Sequence, residues 1–410
     1  MSSEIDFGNL LVVMTLAAAI PLLLGLVPQI PVPDSVVEIL AGIIVGPAVL
    51  GWVQSDEVIQ VLAKLGVAFL LFLAGLEIDF RLLRGRPLRV AVLGFVASLV
   101  LGLVLTIPLG LSDVIVDPLF IAVILSSTSL GIVLPVLKDA GQAGTRTGTF
   151  VIASCTAAEF GSIIALSMFF SRSGSPKPLE TVLKLLVLAL AVGAIAFAST
   201  RGGAWRRRIN EVLFRLDNSS AQPRVRIGVL LLVALVVLAD RLQFDAILGS
   251  FLAGAVIAAL ADPSREDELG HVREKLEAIG FGFFVPVFFV ATGLTFPVTA
   301  LFSDASALLR VPMFLVLLLV VRGVPALMLR NDISRNDIVP AALLQATSLS
   351  FIVVAAQVGV QLGEIRPINA ASIVAAGMLS VLLFPAGALA ILRRNAPEDV
   401  PDVVEPAGEE

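Results

Sequence analysis

One acidic residue stands in the middle of a long apolar run: Glu159, within Thr156-Ala-Ala-Glu159-Phe-Gly. A carboxylate at the depth of a bilayer centre costs several kcal/mol unless it is neutral, paired or hydrated. A group that is neutral with a proton and charged with a cation suits a site where H+ and a metal ion exclude each other. Cys155 lies one turn earlier. It could face the same site or serve as a small packing residue.

Two other apolar runs carry hydroxyls and weak helix formers near their middles. One holds Ser126-Ser127-Thr128-Ser129 and Gly131; the other holds Thr347-Ser348-Leu349-Ser350. Unwound backbone at such places offers carbonyls and half-helix ends to an ion. The alternative is that the hydroxyls bond back to carbonyls one turn earlier or mediate helix packing. Glu159 and Thr128 are the expected ligands of the ion, with Ser127, Ser129 and Cys155 beside them. Ser126, Gly131, Thr347 and Ser348 mark the expected crossing of two broken helices.

Arg322, in Val320-Val-Arg322-Gly-Val-Pro325, is too deep in its run to reach water easily. Its expected role is a charge partner for Glu159 or for the broken-helix carbonyls; a purely structural role is the alternative. Glu38, Glu77 and Asp79 lie nearer run ends and are expected on the solvated rim. Lys64 is expected to snorkel, and His271 sits in a charged loop.

These residues need elements to hold them. The chain has 410 residues, 58% hydrophobic and only 15% charged, with a mean hydropathy of +1.00. Soluble domains carry far more charge, and a membrane β-barrel would show short alternating segments instead. One cysteine and one histidine exclude a disulfide framework within the chain and a Cys- or His-rich metal site. The first run, Leu10 to Val27, has no basic segment before it and reads as a retained helix rather than a signal peptide.

Apolar runs fall at 10–27, 35–51, 58–77, 88–110, 117–137, 147–170, 180–199, 226–241, 244–261, 276–296, 306–329, 338–362 and 369–392. Helical spans need roughly 20 residues, so the expectation is an all-α polytopic membrane protein with thirteen transmembrane helices. Basic residues gather after the odd-numbered spans, as at Arg81, Arg84, Arg86, Arg89, Arg206, Arg207, Arg208, Arg330, Arg393 and Arg394. Positive loops stay inside, which puts the N-terminus outside and the C-terminus inside. The acidic tail, 393–410, is expected to be disordered.

Four pairs of spans share sequence in the same order. Leu125-Ser-Ser-Thr-Ser-Leu matches Leu344-Gln-Ala-Thr-Ser-Leu, and Ile39-Leu-Ala-Gly matches Ile247-Leu-Gly-Ser. Phe69-Leu-Leu-Phe-Leu-Ala-Gly-Leu matches Val287-Phe-Phe-Val-Ala-Thr-Gly-Leu, and Leu-Arg-Val recurs at Leu88 and Leu309. Partners lie seven spans apart, an odd number, so the two six-helix repeats are inverted and 180–199 is a linker. Inverted repeats permit two mirror-related states, the basis of alternating access. Glu159 breaks the symmetry, because its counterpart region in the last span has Met378 and no acid.

At Phe72-Leu-Ala-Gly-Leu-Glu-Ile-Asp79, Ser126-Ser-Thr-Ser-Leu-Gly131, the span around Glu159 and Phe288-Phe-Val-Ala-Thr-Gly293, the chain resembles the monovalent cation:proton antiporters. The likeness is to the branch holding bacterial Na+/H+ exchangers and the membrane domains of K+ efflux systems, and it covers about residues 10–392. It implies a homodimer in the cell (plasma or inner) membrane. Residues 10–87 and 226–296 would form a scaffold and dimer domain, and 88–170 and 306–392 a mobile core moving like an elevator. The family's ion-binding carboxylate falls on Glu159 and its basic residue on Arg322. Family members place Asp at that carboxylate, after a polar residue; here the pair is Ala158-Glu159.

The expected activity is therefore exchange of Na+, ahead of K+, for H+, one for one because a single central acid is present. No enzyme activity, cofactor or nucleic-acid partner is expected. A transporter of the same fold moving an organic ion, and a K+ efflux channel-like protein, are the alternatives.

Overall fold

The computed structural model describes residues 7–26, 32–78, 85–170, 222–242, 244–260, 266–303 and 305–395. Every regular element among them is a helix. The predicted linker 180–199, Asp79, Arg81, Arg84, Asp304 and the tail from 396 lie outside the described residues.

The first helices are α1 (Phe7–Gly25), α2 (Asp34–Val45), α3 (Glu57–Leu76) and α4 (Gly85–Leu111). Then come α5 (Pro118–Leu125), α6 (Leu130–Asp139) and α7 (Arg146–Phe169). After the undescribed stretch follow α8 (Pro223–Arg241), α9 (Ala246–Leu260), α10 (Glu266–Ile279), α11 (Val285–Leu294) and α12 (Val298–Ser303). The last are α13 (Ala305–Gly323), α14 (Ile338–Gln345), α15 (Ser350–Leu362) and α16 (Pro367–Asn395).

Helix starts follow from local chemistry. The Asp56 carboxylate accepts the Ile59 N–H at 2.9 Å to open α3. Asp117 does the same for Phe120 at 2.7 Å, with Pro118 in the first turn of α5. Thr145 Oγ1 takes the Gly148 N–H at 3.1 Å to open α7. Each satisfies an end donor that the helix itself leaves free.

Nine helical stretches among the described residues are long and apolar enough to cross a membrane. They match nine of the predicted runs. Three further runs are helical but shorter or more charged: α2, α8 and α9. The run predicted over 35–51 stops at Val45, because Gly46 precedes Pro47 and turns extended, with ψ 177°. The charged stretch before 276, read from the sequence as a loop, is helical as α10. It passes through a π-helical segment, Gly280–Phe284, into α11. After Arg322 the helix tightens to 3-10 form over Val324–Asn331, where Pro325 lacks the N–H for an α-helical bond.

Helices α1, α2, α3, α8, α9 and α11 pack on one another, as do α4–α7 with α13–α16. In the first set the contacts run through glycines. A Cβ on Gly254 of α9 would lie 1.9 Å from the Phe72 carbonyl of α3, and one on Gly42 of α2 would lie 2.2 Å from the Val290 carbonyl of α11. Small residues let backbones approach where lipid offers no hydrophobic drive.

Candidate functional site

Both hydroxyl-rich runs are interrupted helices. α5 ends at Leu125 and α6 begins at Leu130; α14 ends at Gln345 and α15 begins at Ser350. Each gap spans four residues, and the two gaps touch. Ser127 Oγ and Ser348 Oγ share a hydrogen bond of 2.8 Å. The Ser129 N–H donates to the Thr347 carbonyl at 3.0 Å. Ser129 Oγ accepts the Leu349 N–H at 3.0 Å and the Ser350 N–H at 3.3 Å, capping α15. Ser380 Oγ, from α16, accepts the Ser348 N–H at 3.2 Å and donates to its carbonyl at 3.1 Å. Backbone groups freed by breaking a helix inside a membrane must be satisfied by protein, and here each gap serves the other.

The hydroxyls divide by role. Ser126 Oγ bonds back to the Ala122 carbonyl at 2.7 Å and Thr347 Oγ1 to the Leu343 carbonyl at 3.1 Å. These two follow the local pattern. Ser127 Oγ does both, donating locally to the Ile124 carbonyl at 2.7 Å while meeting Ser348 Oγ, and Thr128, Ser129 and Ser348 reach across the crossing.

Arg322 is buried, with 1% of its surface exposed. Its Nε donates to Thr128 Oγ1 at 2.9 Å and to the Gln345 carbonyl at 3.3 Å. Nη1 donates to Ser98 Oγ at 3.0 Å and Nη2 to the Ser154 carbonyl at 3.4 Å. Thr128 Oγ1 in turn donates to the Gln345 carbonyl at 2.6 Å. The guanidinium thus bonds to neutral oxygens of the first gap, the end of α14, α4 and α7. Of the two partners expected from the sequence, it meets the broken-helix carbonyls rather than the Glu159 carboxylate.

Glu159 projects from α7 to the start of α6, where its Oε2 accepts the Leu130 N–H at 3.2 Å. It is 7% exposed. The first turn of a helix has free N–H groups and the positive end of its dipole, both favourable to an anion. A second carboxylate faces the same turn. A Cβ on Gly131 would stand 3.7 and 3.8 Å from the two carboxylate oxygens of Glu77.

Glu38 and Glu77, both expected on the solvated rim, are instead buried or nearly so: Glu38 is 4% exposed, and the Glu77 side chain is 12% exposed with Arg273 Nη2 3.8 Å away. Arg273 also pairs with Glu277 at 2.6 Å. Cys155 is fully buried and packs among Leu130, Val133, Val151 and Leu344; it stands in an apolar wall.

Sequence reading missed Glu77, Ser98, Ser154, Gln345 and Ser380 as parts of this constellation. Glu77 lies within the Phe72–Asp79 stretch and Gln345 in the repeated Leu344-Gln segment, so both had a signal. The three serines are ordinary in composition and become visible only by contact.

Residues 13–393 match the family described as "Sodium/hydrogen exchanger, transmembrane". YjbQ of Bacillus subtilis (strain 168), assigned by name to the Na(+)/H(+) antiporters, is 29% identical over 92% of this chain. The chain spans 62% of the length of YjbQ. The Na(+)/H(+)-K(+) antiporter GerN of Bacillus cereus is 26% identical over 86% of the chain and 88% of GerN. The fold resembles that of the sodium proton antiporter MjNhaP1 from Methanocaldococcus jannaschii, with a TM-score of 0.61, 15% identity, and coverage of 95% of this chain and 98% of that one. With the family match running through nearly all of its helices, the chain is a multi-pass membrane protein belonging to the sodium/hydrogen exchanger family.

Proposed function

We propose that the protein exchanges a monovalent cation, Na+ ahead of K+, for H+ across the cell membrane, with Glu159 as the group both ions share. The observation that carries this is the placement of Glu159. It is a buried carboxylate held by a single backbone donor at the start of a half-helix, so its remaining lone pairs are free for a proton or a cation. Thr128, Ser127 and Ser129 have their hydroxyls engaged in bracing the crossing, and Arg322 clamps it. Cys155 contributes packing.

Exchange is one for one on this reading. Glu77 has Arg273 beside it as a standing counter-charge, which leaves Glu159 as the charge that changes. Names of relatives such as GerN agree with cation/proton exchange.

The thirteen spans form two inverted repeats on this reading, with the N-terminus outside and the C-terminus inside. Close glycine packing in both halves supports that: Gly75 of α3 lies against Phe251 of α9, and Gly293 of α11 against Ile39 of α2. Residues 10–87 and 226–296 serve as the scaffold of a homodimer. Residues 88–170 and 306–392 move as a core, carrying the crossing and Glu159 between the two faces.

The test is proton flux in proteoliposomes under Na+, K+ and Li+ gradients, with the membrane potential clamped at different values. Wild-type protein should move protons against a Na+ gradient at a rate independent of potential, and Glu159→Gln should not. Normal exchange by that variant would remove Glu159 from the site.

A further inference from the structure

A cavity of about 430 Å3 lies between α3 and α11 on one side and α15 and α16 on the other. It is separate from the carboxylates: neither Glu159, Glu77 nor any residue of the two gaps lines it. Lys64 of α3 is 13 positions before Glu77, or roughly 20 Å along the helix axis at 1.5 Å per residue.

The lining has two chemical parts. Polar side chains, among them Gln60, Lys64 and Gln361, share the lining with a larger apolar set that includes Val67, Phe288 and Val374. Lys64 is the one charged side chain of the lining, and no carboxylate there pairs with it. Such a space repels a cation. It suits a ligand with an anionic head and an apolar tail, and its size is that of cavities that hold drug-sized ligands. Lys64 is an exposed residue of this lining, so its ammonium can turn to the bilayer surface or to an anionic head held in the cavity.

The position adds a consequence. α3 and α11 belong to the proposed scaffold, α15 and α16 to the proposed core. The two units already meet at this wall, where Gln357 Nε2 of α15 donates to Thr292 Oγ1 of α11 at 3.1 Å. A ligand touching both sides binds one arrangement better than the other and shifts the population towards it.

We propose that this cavity binds a single-chain anionic amphiphile, head on Lys64 and chain along the apolar wall, and that the occupant inhibits exchange by holding the two units together. The inhibition rests on the exchange reading above; the binding does not.

The probe is decanesulfonate, which stays anionic and does not carry protons, against decyltrimethylammonium of equal chain length. Binding to the full chain in a non-ionic detergent is measured by equilibrium dialysis and by thermal shift. Exchange is measured in liposomes of zwitterionic lipid with and without phosphatidylglycerol.

Decanesulfonate should bind, raise the Tm and slow exchange. Lys64→Gln should weaken binding about tenfold, the loss expected for one charge-assisted hydrogen bond, and Lys64→Arg should restore it. Equal affinity in wild type and Lys64→Gln overturns the site, as does equal binding of the ammonium probe. An effect of phosphatidylglycerol without one of decanesulfonate also overturns it, assigning Lys64 to the bilayer. Lys64-dependent binding with undiminished exchange upholds the site and overturns the inhibition. If the wild type moves no tested cation, the exchange reading fails, and the affinity ratio still decides the site.

Discussion

Arg322 and Thr128 meet inside the protein, Nε donating to Oγ1 at 2.9 Å, although 194 residues separate them in sequence. The same threonine hydroxyl donates to the Gln345 carbonyl. One buried cation therefore ties the end of α14 to the gap between α5 and α6. A guanidinium suits this because its donors are spread in a fixed fork, whereas an ammonium is a point charge.

Arg322→Lys should then keep the charge and lose the geometry. A lysine cannot reach Thr128, Gln345, Ser98 and Ser154 together. Hydrogen bonds from a charged donor are worth about 1.5–3 kcal/mol each, so the thermal unfolding midpoint in detergent should fall well below that of wild type. An unchanged midpoint would show that the four bonds contribute nothing.

Ser129 caps α15 from the other gap. Ser129→Ala removes the acceptor for the Leu349 and Ser350 N–H groups and should cost about 1–2 kcal/mol, as lost N-caps do. Ser129→Thr keeps the oxygen and should recover most of the loss. Chemical denaturation of the two variants side by side makes the comparison.

Backbone approach at α3 and α9 leaves no room for a methyl group. Gly254→Ala should destabilise by at least about 1–3 kcal/mol, the range for overpacking, since the nearest atom is the Phe72 carbonyl oxygen. Gly94 on α4 has nothing within 4 Å of a built Cβ. Gly94→Ala should be neutral or stabilise by up to about 1 kcal/mol through helix propensity. Folded yield and thermal midpoint should separate the pair.

Competition at one carboxylate fixes a pH signature. If H+ and the cation share Glu159, the half-saturating cation concentration should fall as pH rises, while the maximal rate at saturating cation stays the same. Initial rates over a grid of pH and Na+ concentration would show it. A maximal rate that changes while half-saturation does not would place the proton and the cation on different groups.

Glu77 supplies a further expectation. Its carboxylate stands over the same helix turn as Glu159, so Glu77→Gln should raise the half-saturating cation concentration by weakening local attraction. Arg273→Ala should act in the opposite direction, because it removes the positive charge 3.8 Å from Glu77. Equal and unchanged values in both variants would leave Glu77 a structural acid.

The sequence by itself determined the class of the molecule, the interrupted helices and the prominence of Glu159 and Arg322. A bilayer forces long apolar runs and makes each polar residue inside them costly, so those residues stand out from composition alone. Ser126–Ser129 and Thr347–Ser350 stood out because their residue types resist a continuous helix. Tertiary structure decided what these residues touch. It brought Glu77 over Gly131, turned Arg322 to the gaps, sank Cys155 in an apolar cluster and gave Ser98, Ser154 and Ser380 their partners. Such contacts join helices far apart in the chain, and their hydrogen bonds depend on how the helices pack. A serine or a run-end glutamate carries no mark of that packing in its own neighbourhood.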